Sequence, residues 1–355
     1  MREIHVKNKI IGDGYPTFII VETAWGHDGS VDKAKKIIDH AADAKVDAIN
    51  FHITSMPDYM VRNYTAGVGK SSSTSNTKPL FEYLEQINLS QEDWKVLVPY
   101  AKSKGLLVSA LCNDIPSEKF VSTLEPDLYA LHPSCMAEEE LIKKVAKNGK
   151  PVILNVGGCS IGEIDRAIGW IRESGNLDIC LLYGIQTYPT SIENAKIGYI
   201  RTLQSTFGLP AGMADHTDGG SELALVVPIA GVVAGSNLIE KHVTHDRSLK
   251  GEDYEAALDR EGIIKLVEWI RKIEDSLKNP HIKQLSKDEL FYRSVSMKRI
   301  VALTDIAKGE IITAEKITGK RSDEGLELDH RNSIIGRVAK TDIKKDDGIT
   351  LEKVV

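Results

Sequence analysis

The feature that most constrains the fold of this chain is an eightfold alternation of short apolar runs with longer amphipathic stretches. Alternation of this kind is typical of a parallel sheet with helical crossovers. The predicted strands are 17–22, 48–53, 106–111, 128–131, 152–156, 179–184, 211–214 and 238–243. Eight strand–helix pairs predict an α/β fold, a closed (β/α)₈ TIM barrel. A doubly wound sheet is the alternative, and it is disfavoured because no GxGxxG turn follows a strand.

A repeated segment lies near the end of the chain. Residues 303–317, with the sequence LTDIAKGEIITAEKI, recur as residues 340–354, with the sequence KTDIKKDDGITLEKV. Two copies of a turn-plus-strand unit predict a small β-rich domain with pseudo-twofold symmetry, whose copies bury their apolar faces together. A polar stretch with Pro280 precedes the repeat and indicates a linker. We therefore expect a barrel domain over 1–280, a linker over 281–294 and a small domain over 295–355.

Charge and composition narrow the classes of function. The formal net charge of −6 is spread along 355 residues, so no basic face for nucleic acid stands out, and small polar metabolites are the expected partners. No apolar stretch reaches the 18 or more residues that cross a bilayer, and residues 1–5 lack the apolar core of a secretory signal. We expect a cytoplasmic protein without membrane contact. The cysteines lack CxxC spacing and are expected to be reduced thiols of the core: Cys112, Cys135, Cys159 and Cys180.

Residues 56–79 interrupt the alternation with two glycines and the polar run SSSTSN. The loop after a barrel strand lies on the catalytic face, so we expect this segment to be a substrate lid. A plain surface insertion is the alternative.

Polar residues at the predicted strand ends indicate a metal site. His216 follows strand seven, and Glu240 and His242 lie two positions apart on strand eight, so their side chains point the same way. Two imidazoles on neighbouring strands can share one divalent ion, with Mn²⁺ the expected metal and Mg²⁺ or Co²⁺ the alternatives. Glu240 is then placed to bind substrate. The competing interpretation is that each histidine is a single hydrogen-bonded polar residue at a strand end.

The same residues belong to an ordered set of motifs. The set comprises Glu22 with HDGS at 27–30, YPT at 188–190, DHT at 215–217, EKH at 240–242 and KGED at 250–253. In this order and spacing the chain resembles the sialic acid synthases, a superfamily that includes legionaminic and pseudaminic acid synthases and spore-coat polysaccharide proteins. The C-terminal repeat resembles the antifreeze-like (SAF, β-clip) domain that ends those enzymes. The resemblance covers nearly the whole chain.

The resemblance implies an activity. Family members condense phosphoenolpyruvate with an aldehyde sugar such as N-acetylmannosamine, giving a nonulosonic acid and phosphate. By this resemblance His216 and His242 hold the metal and are catalytic with Glu22, which orients the sugar or moves protons. The resemblance also implies sugar contacts from Tyr188, Asp253 and Gln186, the last in place of a family asparagine. It further implies a domain-swapped homodimer, in which Arg321 of the small domain reaches the substrate of a partner chain.

The departures from the family fall on the side of the site that holds phosphoenolpyruvate. Asn50 and Ala130 stand where the family has lysines, and neighbouring hydroxyl positions are also changed. Binding a trianion without its ammonium partners would cost several kcal/mol. Either the polar residues Asn50, His52, His132 and Asn155 bind phosphoenolpyruvate in a new way, or the donor is another molecule.

Three hypotheses remain open from the sequence. The first is a nonulosonic acid synthase of divergent specificity. The second is a metal-dependent aldolase or lyase on the same scaffold, with a partner other than phosphoenolpyruvate. The third is a sugar-binding homologue without catalysis.

Overall fold

The computed structural model describes residues 2–64, 79–278 and 284–355. The chain divides into two compact units, residues 1–278 and residues 279–355. No helix among the described residues is long and apolar enough to span a membrane.

The first unit contains a closed barrel of eight parallel strands in the order β10-β3-β4-β5-β6-β7-β8-β9. The strands are β3 (Phe18–Glu22), β4 (Ala48–Ile53), β5 (Leu107–Cys112), β6 (Leu128–Leu131), β7 (Val152–Asn155), β8 (Ile179–Tyr183), β9 (Ala211–Asp215) and β10 (Leu238–His242). Each predicted strand boundary lies within one residue of the observed one. The predicted TIM barrel is therefore confirmed.

Ten helices follow the strands of the first unit. They are α1 (Val31–Asp43), α2 (Met56–Tyr59), α3 (Leu80–Ile87), α4 (Gln91–Ser103), α5 (Ile115–Ser122), α6 (Glu139–Lys147), α7 (Ile161–Glu173), α8 (Tyr199–Phe207), α9 (Leu223–Val233) and α10 (Arg260–Leu277), among the described residues. Helix α1 shows why the local sequence is helical. Ser30 caps it by accepting a hydrogen bond from the Lys33 N–H, and its buried stripe is Ala34, Ile37, Ile38 and Ala41.

A hairpin that the sequence analysis missed closes the amino end of the barrel. Strands β1 (Ile4–Val6) and β2 (Lys9–Ile11) pair antiparallel. Ile4, Val6 and Ile11 join the apolar cluster inside the barrel, so this end is sealed by side chains. Three-residue strands are too short to give a clear period-two pattern in the sequence.

Two separate apolar clusters show whether each side chain on a strand points into the barrel or toward the helices. Inside the barrel lies a cluster that includes Ile20 of β3, Ala48 of β4 and Leu238 of β10. Between strands and helices lies a larger cluster that includes Ile19 and Ile239. Since side chains alternate along a strand, the residues two positions after the inner cluster also face inward at the carboxyl end. This alternation directs a set of polar side chains into the barrel mouth: Glu22, Asn50, His52, Ser109, Glu240 and His242.

The second unit has its own small core. Strands β11 (Arg299–Ala302) and β12 (Ile317–Lys320) pair antiparallel, and isolated bridges such as Ile306 to Ile343 tie the two repeats together. Helix α12 (Arg331–Ile334) contributes the buried Ile334. The predicted small β-rich domain is confirmed in its architecture.

The segment predicted as a linker over 281–294 is not irregular throughout. Helix α11 (Lys287–Ser296) runs through it. Its start is a capping box, in which Ser286 and Glu289 bond each other's backbone N–H groups. This local signal explains why part of this polar segment is helical. The predicted lid over 56–79 begins with α2, and residues 65–78 lie outside the described part of the chain.

Candidate active site

The carboxyl ends of β3 and β4 bring three polar side chains together. Glu22 and Asn50 are register partners. The Asn50 amide donates to Glu22 Oε2, while Glu22 Oε1 accepts from the Ala24 N–H at 2.7 Å and lies 3.4 Å from His52 Nε2. Glu22 is thus held by donors on both oxygens, which fixes a buried carboxylate at the barrel mouth.

His52 is the histidine of this group that can carry charge. Burial alone would lower the pKa of His52, but the adjacent Glu22 carboxylate more than offsets it, so the pKa lies above its ordinary value. The ring packs edge-on against Trp25, with centroids 5.2 Å apart. This arrangement places an imidazole that gains a proton readily next to a fixed carboxylate.

Three rings pack together where β9 and β10 end. The centroids of His216 and His242 are 5.1 Å apart, and the Tyr188 ring lies 4.5 Å from His216 and 5.5 Å from His242. His242 is also the register partner of Glu22, so this ring cluster adjoins the carboxylate described above. The two strand-end histidines therefore lie next to each other at the mouth, and the metal ion predicted between them stays a prediction.

Both histidines are suited to be neutral ligands. Burial lowers the pKa of His216, and burial followed by the charge of His216 lowers the pKa of His242 well below its usual value. His216 Nδ1 lies 2.8 Å from the Ile185 carbonyl, which requires the proton on Nδ1 and leaves the Nε2 lone pair free to bind a metal. These two side chains fit a divalent ion that takes its other ligands from water or substrate. Among the described residues no cluster of three or more His, Cys, Asp or Glu side chains is arranged to hold a metal.

Glu240 is a second buried carboxyl group beside Glu22. Burial raises its pKa well above the ordinary value, and the charge of Glu22 adds to the rise, whereas the Asn50 amide acts against it. The Asn50 side chain thus lies between two carboxyl groups. A pair of this kind can hold one proton between its members.

The remaining predicted residues are distributed around the mouth. The Tyr188 hydroxyl donates to Gln186 Oε1 at 2.9 Å, and Asp253 Oδ2 lies 3.9 Å from His242 Nδ1. Asn155 is buried at the end of β7, opposite β3 in the ring of strands. Arg321 belongs to the second unit, in the turn that follows β12.

His132 differs from His52 in its pKa. Burial, followed by the charges of His52 and His216, lowers its pKa to about 4. Its Nδ1 accepts a hydrogen bond from the Ser134 N–H, which starts a 3₁₀ turn. His132 is therefore neutral near pH 7 and can take part in substrate binding through hydrogen bonds alone.

Two side chains of importance were not identified as site residues from the sequence. Ser109 is the register partner of Asn50 and faces inward, which the alternation from Leu107 could have indicated. Lys241 points outward and donates to Asp215 Oδ2 at 2.5 Å and to the Thr217 carbonyl at 3.2 Å. Both members of this ion pair are almost fully buried. Because Asp215 bonds the outward-pointing Lys241, its side chain supports the end of β9 and does not face the mouth.

The comparisons with known proteins identify the family of the chain. Residues 37–281 match the NeuB family, and residues 299–355 match the SAF domain. An uncharacterised protein of Methanocaldococcus jannaschii is 30% identical over 98% of this chain and 97% of its own length. The N,N'-diacetyllegionaminic acid synthase of Campylobacter jejuni is 27% identical over 93% of this chain and 98% of its own.

A solved structure is similar over most of its length. The N-acetylneuraminic acid (sialic acid) synthetase of Leptospira borgpetersenii, in complex with citrate, has 26% identity and a TM-score of 0.72 over 83% of this chain and 97% of its own. A parallel barrel with polar residues at its strand ends, followed by a SAF domain, is the architecture that defines this class of protein. The chain belongs to the NeuB family, and its low identity to these relatives fits a divergent member.

Proposed function

We propose that this protein is a nonulosonic acid synthase. It joins phosphoenolpyruvate to an aldehyde sugar, such as N-acetylmannosamine or a related hexosamine, and releases phosphate. The observation that carries the proposal is the ring cluster of His216, His242 and Tyr188 directly beside Glu22. Two relatives that cover most of the chain are named synthases of sugar acids of this class.

The aldehyde is activated at the two histidines. A divalent ion on His216 and His242, with Mn²⁺ our first choice and Mg²⁺ or Co²⁺ as alternatives, would act as a Lewis acid on the aldehyde oxygen. The Ile185 carbonyl holds the His216 ring in the tautomer that such binding needs. Tyr188, Gln186 and Asp253 border this position and present polar atoms to sugar hydroxyls.

The reaction forms one carbon–carbon bond and breaks the bond between the donor and its phosphate. Carbon 3 of the enol donor forms a bond to the aldehyde carbon, and the aldehyde oxygen takes up a proton. Water adds to carbon 2 of the donor, and the carbon–oxygen bond to phosphate breaks there. Glu22 is placed to move a proton, since it is fixed by the Asn50 amide and the Ala24 N–H beside His242.

The donor is expected on the side of the mouth formed by Asn50, His52, His132 and Asn155. His52 supplies the positive charge there, because its pKa is raised, whereas the neutral His132 can only exchange hydrogen bonds. Asn50 and Asn155 supply uncharged polar groups at the ends of β4 and β7.

Release of inorganic phosphate tests the proposal. The purified chain with Mn²⁺ should release phosphate from phosphoenolpyruvate only when an N-acetylhexosamine aldehyde is present, and mass spectrometry should find the matching nine-carbon acid. His216→Ala should show no release under the same conditions. No sugar-dependent phosphate release from a panel of hexosamines, with metal bound, would contradict the proposal.

A second candidate has one observation in its favour. Lys241 is the one Lys or Arg side chain on the eight barrel strands, and Asp215 already pairs with it. A site with so little positive charge also fits a metal-dependent aldolase or lyase acting on a sugar acid with a donor other than phosphoenolpyruvate. Metal-dependent turnover of a sugar acid, without phosphoenolpyruvate or phosphate, would favour this candidate.

We also propose that the protein is a homodimer in which Arg321 reaches the partner's substrate. The proposal rests on the family resemblance and on the basic pair at 320–321 in a separate unit. Mixing inactive Arg321→Ala chains with inactive His242→Ala chains should restore part of the activity. A monomer in sedimentation at micromolar concentration would contradict it.

A further inference from the structure

Four inward-facing side chains with oxygen atoms lie together beside the ring cluster, and we call this group the oxygen pocket: Glu22, Asn50, Ser109 and Glu240. They are exposed by 2%, 1%, 0% and 5% respectively, so water reaches them poorly. Glu22 pairs in register with Asn50, which pairs in register with Ser109. The pocket therefore spans three adjacent strands and the neighbouring β10.

Several polar atoms of this pocket lack the partners that burial demands. Within the described part of the chain, Asn50 Oδ1, Ser109 Oγ and Glu240 Oε2 make no hydrogen bond. Buried polar atoms without partners are rare, and each costs about 1–3 kcal/mol. Three of them on neighbouring inward positions indicate that a ligand completes the pocket.

The charge of the pocket selects the ligand. It contains two carboxyl groups; the barrel strands offer no inward-facing Lys or Arg, since Lys241 faces outward and binds Asp215, and the cationic group beside them is His52, 3.4 Å from Glu22. The one donor between the carboxyl groups is the uncharged Asn50 amide. His52 can balance only one of these two buried carboxyl groups, so the other needs either a bound proton or a bound cation.

We propose that the oxygen pocket binds a hard divalent cation, with Mg²⁺ as the natural probe. Carboxylate, amide and hydroxyl oxygens are the ligands that Mg²⁺ takes, and two carboxylates balance its charge. The Asn50 side chain would turn over, since its Oδ1 and Nδ2 are interchangeable in shape, and would present oxygen to the ion. This site is distinct from the histidine pair, whose nitrogen ligands suit a softer metal ion.

The proposed cation has a role in the reaction, and this role rests on the proposed function. A divalent ion beside Asn50 and Ser109 would add positive charge on the donor side of the mouth, where the strands carry no Lys or Arg and His52 is the cationic group. It would attract the carboxylate or phosphate of phosphoenolpyruvate and so do what a lysine ammonium could do at Asn50.

Calorimetric titration of Mg²⁺ into the full-length chain without substrates tests the site apart from catalysis. Glu240→Gln keeps the shape of the side chain and removes one ligand charge, so it should weaken Mg²⁺ binding at least tenfold. Glu22→Gln should do the same. Glu118→Gln is the matched control, because Glu118 is also a buried carboxyl group but bonds Asn148 on the outer layer, and it should bind Mg²⁺ like the wild type.

The His216→Ala and His242→Ala double variant separates the two metal sites. It should keep the Mg²⁺ site that Glu240→Gln loses. Equal Mg²⁺ affinity in Glu240→Gln and wild type, or complete loss of Mg²⁺ binding in the histidine variant, would overturn the proposal. Circular dichroism and the melting temperature show whether each variant is folded, and Glu22→Gln serves in place of Glu240→Gln if the latter does not fold.

Phosphoenolpyruvate binding then tests the role of the ion. Mg²⁺ should strengthen the binding of phosphoenolpyruvate at least tenfold in the wild type and by much less in Glu240→Gln. Because free phosphoenolpyruvate forms the same Mg²⁺ complexes in both experiments, the comparison of the two proteins also corrects for them. Mg²⁺ binding without any gain in donor affinity would leave the cation site standing and reject its proposed role. Absence of sugar-dependent phosphate release would instead reject the synthase proposal.

Discussion

The two sides of the barrel mouth differ in how completely they are built. On the side of β9 and β10, His216 and His242 pack with Tyr188, and the buried Lys241–Asp215 pair supports them from behind. On the side of β4 and β5, Asn50 and Ser109 hold unpartnered polar atoms, and so does Glu240 of β10, whose carboxyl group lies next to Asn50. We therefore expect the histidine pair to be preorganised for its ligand and the oxygen pocket to become complete only when its ligand binds.

The largest effect is expected from the histidine pair. His216→Ala and His242→Ala should each lower the turnover number about a thousandfold, since a Lewis acid contributes several kcal/mol and each 1.36 kcal/mol is tenfold in rate. Elemental analysis should show the corresponding loss of bound metal. His5→Ala removes an exposed histidine of the hairpin and should change neither value. Equal metal content in the wild type and the double variant would contradict this prediction.

The support behind the histidine side is tested by stability. Lys241→Met leaves Asp215 buried without its partner and should lower the free energy of unfolding by about 3–5 kcal/mol. Urea unfolding measures the change. Lys95→Met breaks the exposed pair with Glu92 and should cost about 1 kcal/mol or less. Similar losses in the two variants would show that the buried pair is not a special support.

One substitution can give the donor side of the mouth a permanent positive charge. Asn50→Lys places an ammonium group between Glu22 and Glu240, where it can also face an anionic donor. A hydrogen bond to a charged group contributes about 1.5–3 kcal/mol, so phosphoenolpyruvate should bind about ten- to a hundredfold more tightly. The same variant should lose Mg²⁺ binding. Asn50→Met has a similar length without charge, and an equal gain there would exclude the electrostatic explanation.

The smallest expected effect is the dependence of donor binding on pH. The pKa of His52 is raised, so below that pKa the ring is cationic and attracts an anion; affinity for phosphoenolpyruvate should fall as pH rises through it. We expect a change of about three- to tenfold in the dissociation constant, about 1 kcal/mol. His132 has a pKa of about 4 and stays neutral through this range. Titration calorimetry should therefore find the pH dependence lost in His52→Gln and kept in His132→Gln; the reverse pattern would show that the assignment is wrong.

Much of the fold was predictable because its signals are local. The apolar runs that became β3–β10 and the spacing of Ile37, Ile38 and Ala41 in α1 follow from strand and helix periodicity. The hairpin of β1 and β2 was missed because its strands are short, and α11 was missed because polar composition hid its capping box.

By itself the sequence determined the barrel, the repeat domain and the histidines at neighbouring strand ends, because alternation and strand order are written in residue spacing. The tertiary structure alone decided the charges and partners at the mouth. His52 and His132 have the same side chain, yet the Glu22 carboxylate raises the pKa of His52, whereas burial lowers the pKa of His132. Burial and neighbouring charge depend on residues distant in the chain, so no local pattern could assign them.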